Sequence, residues 1–268
     1  MTTKPVQQTA QLIGSGRRSS ALAYIIRCEV FKLLRIPAFT IPTLLFPIMF
    51  FAFFGLPNVG DQIDGSDAGA YIMASYGAYA MISVALFSFG VSIAAERGLG
   101  WNKLLRTTPM HPLTYFFAKI AMALITGLLT LVGLFVFAII VGGVSLPLLV
   151  WAKLVGFLVL GMIPFVALGL FIGYVAGPNS AAAIANVIFL PLSFASGLFV
   201  PLAFMPTFIQ TVAPYLPAYH AAQLAWTTLG AGDGSPLSVH LLWLAGYTVL
   251  FLALGLVAYR RDEGKTYG

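Results

Sequence analysis

Residues 154–232, 79 in succession, contain no Asp, Glu, Lys or Arg. About a quarter of the residues in a soluble domain are charged, so such a stretch is foreign to one. Four further intervals are as bare: 36–60, 68–95, 120–152 and 234–259. A membrane-spanning helix needs about 20 mostly apolar residues. Six spans are therefore expected, over roughly 36–56, 70–95, 115–141, 148–175, 181–204 and 239–259. Turn formers separate them: Gly55 to Gly69, Gly142-Gly143 with Pro147, and Gly177-Pro178-Asn179-Ser180. The runs are continuously apolar rather than alternating, which predicts helices and not the strands of a closed barrel. The fold class read here is an all-α integral membrane protein, one transmembrane domain over 1–268. Extramembrane stretches of roughly 35 residues are too short to bury a core of their own. The single cysteine, Cys28, excludes an internal disulfide.

Charge placement orients the chain. With six spans, both termini and the 96–112 loop share one side, which then carries every Lys and Arg except Lys153 of the 14 present. Asp61, Asp64, Asp67 and Asp233 fall on the other. That is the positive-inside pattern, and it accounts for the net charge of +6 without nucleic acid. A seventh span through 206–235 would strand Arg260 and Arg261 outside. This segment, with Pro206, Pro214 and Pro217, is read instead as an outward-facing, re-entrant pair of short helices, which protein must cover. Ahead of the first span, 20–35 reads as an amphipathic interfacial helix on membrane lipid. Leu22, Ile26, Val30, Leu33 and Leu34 face one way, and Arg27, Lys32 and Arg35 the other. Glu29 lies near the apolar arc, answered by Lys32 at i+3. The basic leader carries no small-residue cleavage site and is expected to be retained.

Chemistry is sparse. Gly264-Lys265-Thr266 lacks the earlier glycine of a phosphate-binding loop, since position 259 is Tyr. His111, His220 and His240 lack metal-ligand spacing. The triplet Asp61, Asp64, Asp67 lacks the alternation of a calcium loop and reads as a solvated outer turn. No carboxylate falls inside an expected span, and Lys119 and Lys153 are near enough to helix ends to snorkel. Intramembrane charges usually mark proton or ion pathways; without them, a chain of this kind that moves a solute is expected to draw its energy from a partner. Gly169, Gly173 and Gly177 form a small-residue ladder for close helix packing. Pro42, Pro47, Pro164, Pro191 and Pro201 are expected to kink or break their helices.

Two segments carry a resemblance. The first is Glu96-Arg97-Gly98-Leu99-Gly100-Trp101-Asn102-Lys103-Leu104-Leu105-Arg106-Thr107-Thr108-Pro109-Met110. It resembles the cytoplasmic loop after the second span of ABC-2-type transporter permeases. The second, Leu190-Pro191-Leu192-Ser193-Phe194-Ala195-Ser196-Gly197-Leu198-Phe199-Val200-Pro201, is similar to that family's fifth span and the re-entrant element after it. Val200 departs from the pattern, which often has an aromatic there. With the six-span layout and the leader, the resemblance covers about 20–260.

The resemblance implies a permease of the bacterial cytoplasmic (inner) membrane, both termini cytoplasmic. It would work as a dimer, expected to be a homodimer, with two copies of a separate cytosolic ABC ATPase. ATP and Mg2+ would bind in that ATPase and no cofactor in this chain, which carries no catalytic site. The substrates implied are amphipathic compounds, glycans, lipids or drugs. The loop 96–112 would dock the ATPase through Trp101, Leu104 and Leu105, with Glu96, Arg97, Gly98 and Arg106 around them. Thr108 would cap the next helix, with Pro109 in its first turn. Substrate would pass along the first, second and fifth spans past Asn186, Phe194, Ser196 and Phe199. Two other readings stay open: an ATP-independent facilitator or secondary transporter, and a structural or lipid-scaffolding membrane protein.

Overall fold

The computed structural model describes residues 23–32, 35, 37–63, 65–101, 107 and 112–265. A helix α1 at 23–32 precedes α2 (Pro37–Phe50), which loosens into a π-helical turn at Phe51–Gly55. A two-residue antiparallel ribbon, β1 (Gln62–Ile63) with β2 (Ser66–Asp67), leads into α3 (Ala68–Val84). A π-helical segment, Ala85–Val91, joins α3 to α4 (Ser92–Gly98), so the second span is one rod from Ala68 to Gly98. Then come α5 (Pro112–Ile140), α6 (Leu148–Val175), α7 (Ala181–Ala195), α8 (Thr207–Val212), α9 (Pro217–Thr227) and α10 (Leu237–Lys265). Among the described residues five helices are long and apolar enough to cross a membrane: Ile41–Asn58, Ala68–Gly98, Leu113–Ile140, Leu148–Val175 and Leu237–Asp262.

α3 is the axle of the bundle. Fifteen of its 17 residues are buried. Its small residues, among them Ala70, Ala74, Gly77, Ala78 and Ala80, let neighbours close in from every side. Asp67 starts it: the carboxylate accepts from the Ala70 N–H at 2.8 Å and from the Gly60 N–H at 3.2 Å. The aspartate expected in a solvated turn is thus an N-cap. Where α6 crosses the π-helical segment the two backbones touch. A Cβ on Gly169 would lie 2.6 Å from the Ala85 carbonyl, and one on Gly90 2.7 Å from the Gly169 carbonyl. Gly173 backs onto the same place, its Cβ 3.0 Å from the Gly90 carbonyl. Gly177 lies past the helix, its nearest neighbour the Ser180 side chain at 3.4 Å, outside that contact.

The fifth expected span is shorter than 181–204. α7 ends at Ala195 because Gly197, at φ +82°, completes a Schellman closure. The Leu198 N–H reaches the Ser193 carbonyl and the Gly197 N–H the Phe194 carbonyl. Fifteen residues rise about 22 Å, less than the ~30 Å hydrocarbon core. Helices run on through Pro42, Pro47, Pro164 and Pro191, none of which ends one, and Pro201 lies beyond α7. α9 is packed into protein, with ten of its 11 residues buried. The Trp226 indole stacks on Tyr71 at 4.9 Å and donates to the Ser75 hydroxyl at 2.9 Å. By contrast, only 17% of the α2 and α10 spans is buried.

Candidate functional site

Three helices converge on an aromatic cluster. Phe199, just beyond the closure of α7, stacks on Phe194 at 4.4 Å. It meets Phe50 of α2 edge-on at 5.4 Å and Tyr79 of α3 at 5.1 Å. Phe50 also packs on Tyr76 and Tyr79, and Tyr79 on Phe189 at 4.9 Å. Phe194 is half exposed, so the cluster ends on an open face. The hydroxyls of Tyr76, Ser193 and Ser196 are fully buried and lack a hydrogen-bond partner among the described residues. Such groups cost free energy unless something pairs with them. The structure thus brings Phe194 and Phe199 into contact, with Ser196 buried in the turn between them. Asn186 stands apart on the exposed face of α7, its amide donating to its own helix at Ala182 (3.1 Å).

A second polar centre sits at the other end of the rod. Lys119 of α5 is 1% exposed and donates to Glu29 at 2.6 Å and Glu96 at 2.5 Å. Glu96 also accepts from the Tyr115 hydroxyl at 2.6 Å and from Lys32. Two carboxylates therefore face two ammonium groups, which is what makes the burial tolerable. This corrects three expectations. Lys119 does not snorkel, Glu29 is answered by Lys119 rather than Lys32, and the second span runs far enough to bring the buried carboxylate of Glu96 within it. α1 is fastened to the spans through charge, not merely laid beside them.

Arg97, the next residue, turns to α6. Its guanidinium donates to the carbonyls of Gly173 (2.9 Å) and Ala176 (2.7 Å), satisfying the otherwise open C-terminal end of that helix. Asp262 of α10 lies 3.7 Å from its Nε, and the Tyr174 ring flanks it. Gly98 leaves room for Pro178, against whose ring a Cβ would fall 2.6 Å away. Leu99 and Trp101 are exposed. Leu104, Leu105, Arg106, Thr108 and Pro109 lie outside the described residues.

Two histidines missed by sequence spacing meet between α9 and α10. His220 and His240 approach through their Nδ1 atoms at 3.0 Å, and His240 Nε2 lies 3.3 Å from Asp233. Burial, then the neighbouring His240, pushes His220 down to about 4. Burial alone would raise the Asp233 carboxyl, but bonds from Tyr219 and Ser235 and the nearby His240 hold it below its ordinary value. Among the described residues no group of three His, Cys, Asp or Glu is placed to hold a metal ion.

These features describe a polytopic helical bundle with an aromatic cluster at an open face and a buried ionic network at the far end of the second span. The chain belongs to the ABC-2 transporter family, for the sequence model described as "ABC-2 family transporter protein" matches residues 62–257. It is also similar to a Bacillus subtilis (strain 168) protein called "Putative transport permease YvfS". The two are 29% identical over 238 residues, covering 88% of this chain and 95% of the relative. The chain is thus a transport permease and a multi-pass membrane protein, of a family that usually works with a separate ATPase.

Proposed function

We propose that the chain is the membrane-spanning subunit of an ATP-driven exporter of the bacterial cytoplasmic membrane. Two copies, as a homodimer, form the pathway, and two copies of a separate cytosolic ATPase hold the ATP and Mg2+. Six spans are taken, the fifth crossing being α7 with the turns that follow it. α8 and α9 then form a re-entrant element on the outer side, and both termini are cytoplasmic. The partition of basic residues supports that orientation. The near-complete burial of α9 supports re-entrance, because irregular backbone at membrane depth must be covered by protein.

The observation that carries the transport reading is the aromatic cluster of α2, α3 and α7, beside buried hydroxyls that have no partner among the described residues. Rings offer surface to the apolar part of an amphipath, and the hydroxyls offer hydrogen bonds to its polar part. An amphipathic compound, a lipid-linked glycan, a lipid or a drug fits this chemistry. Glu96 and Arg97, tied to α1, α5, α6 and α10, make the end of the second span a stiff junction able to pass ATPase motion to the bundle.

The test is ATPase activity of the reconstituted permease–ATPase complex with Phe194→Ala and Phe199→Ala. Substrate stimulation and transport are expected to fall at least fivefold while basal hydrolysis persists. Unchanged transport and stimulation in both variants would remove the cluster from the pathway. Flux through the permease alone without ATP would favour a facilitator instead.

A further inference from the structure

A long apolar groove lies between α5, α6 and α10, away from the aromatic cluster. α5 lines it from Leu113 to Leu124, α6 from Val159 to Leu170, and α10 from Thr248 to Tyr259. Its floor is closed by buried Phe89 and Met162, while Leu113, Ile163 and Leu256 stand as half-exposed lips. The cavity holds about 800 Å³. Thr248 does not ask for a ligand, since its hydroxyl bonds the Leu244 carbonyl on its own helix at 2.7 Å. We propose that this groove binds one anionic phospholipid, an acyl chain lying along α5, α6 and α10 and the phosphate resting at Arg260.

Three features choose this occupant. The first is length. Each wall runs twelve residues, about 16 Å from first to last at 1.5 Å per step, and half of a ~30 Å hydrocarbon core is about 15 Å. The groove therefore matches a single leaflet. The second is lining. Of the side chains around the groove only Thr248 and Tyr259 carry a polar atom, and the Thr248 hydroxyl is bonded within its own helix, so the walls suit a hydrocarbon chain. The third is charge. Arg260 follows Leu256 by one helical turn on the stripe that lines the groove, and it is exposed where the groove ends. An arginine there forks onto a phosphate, with Arg261 beside it adding positive potential. Assignment to the cytoplasmic leaflet rests on the proposed orientation, whereas binding does not.

The probe is dioleoyl phosphatidylglycerol, with dioleoyl phosphatidylcholine as the uncharged-headgroup comparison, titrated onto the full-length permease in detergent. Native mass spectrometry then counts retained lipid. One phosphatidylglycerol per chain is expected, held at least fivefold better than phosphatidylcholine. Ile163→Trp and Leu252→Trp, both at exposed lips, fill the groove and should each cut retention at least fivefold. Either variant serves if the other fails to elute as wild type does. Arg260→Gln should bring the two lipids to equal retention while leaving the groove intact. Undiminished phosphatidylglycerol in the Trp variants overturns the site, and an undiminished preference in Arg260→Gln overturns the headgroup assignment. A disulfide between copies through Ile163→Cys in native membranes would give the face to a second chain and likewise overturn the proposal. Lipid retention is read without substrate or ATPase, so its failure is separable from failure of the export reading.

Discussion

Replacing Lys119 by Met should destabilise the permease more than any other single charge removal in the chain. Lys119 is 1% exposed and lies between Glu29 and Glu96 at 2.6 and 2.5 Å. Its loss leaves two carboxylates buried with, among the described residues, Lys32 to answer Glu96, and the Lys32 side chain is itself 50% exposed. Breaking a buried pair by removing one partner costs about 3–5 kcal/mol, whereas losing an exposed partner costs about 0–1 kcal/mol. Lys119→Met should therefore lower the thermal midpoint of the detergent-purified permease by on the order of 10 °C, and Lys32→Met by far less. A double variant, Lys119→Met with Glu96→Gln, removes one stranded charge and should recover part of the loss. The assay is loss of the monodisperse elution peak after heating wild type, both single variants and the double variant. Equal effects of Lys119→Met and Lys32→Met, or strict additivity in the double variant, would refute the buried network as a source of stability.

Gly169→Ala should cost about 1–3 kcal/mol by the same heating assay, because its Cβ meets backbone at 2.6 Å; Gly156→Ala, with open space around it, should be near neutral. The fold keeps His220 neutral down to about 4, whereas an unfolded histidine protonates near 6.5. Stability contributed by its neutral form is thus present above about pH 6.5 and lost as pH falls toward 4; a heating series across that window should show the decline, and His220→Gln should flatten it. Changing Leu104 and Leu105 to Asp should separate the permease from its ATPase in co-purification without preventing insertion, since burying each leucine contributes roughly 1.5–3 kcal/mol; full recovery of the ATPase would return the loop to a plain interfacial role.

The spans were legible because hydrocarbon tolerates so few charges that gaps between Lys, Arg, Asp and Glu mark them directly. What stayed hidden depends on pairs distant in the chain. Lys119 lies near the start of the expected 115–141 span, where a lysine can snorkel, and its neighbours in sequence offer no carboxylate. Its partner Glu29 is 90 residues away. The available signal was complementary: a glutamate on the apolar arc of one helix and a lysine in the apolar run of another, each wrong alone and right together. His220 and His240 escaped for the same reason, since α9 had first to fold back onto α10. In the aromatic cluster, Phe194 and Phe199 could be named from sequence, but Phe50, Tyr76 and Tyr79 could not, because rings are common in every span. Asn186 recurs with Ser193 and Ser196 along one helix, yet the structure leaves Asn186 exposed while both serines are buried, because what packs over α7 differs between its two ends.

The π-helical segment Ala85–Val91 has a consequence for how the rod from Ala68 to Gly98 can be edited. Each residue of an α-helix advances the side chains by about 100°, so the widened turn works as a phase adjuster between two halves with different obligations. The half nearer Ala68 must aim Tyr76 and Tyr79 at the rings of α2 and α7, and the half nearer Gly98 must aim Glu96 at Lys119 and Arg97 at the end of α6. Removing one residue within 85–91 would leave both halves helical and apolar, with composition and length scarcely altered. It would nevertheless swing one set of side chains by about 100° against the other. The spacing between Tyr79 and Glu96 is therefore a constraint in its own right, as exacting as the identity of either residue.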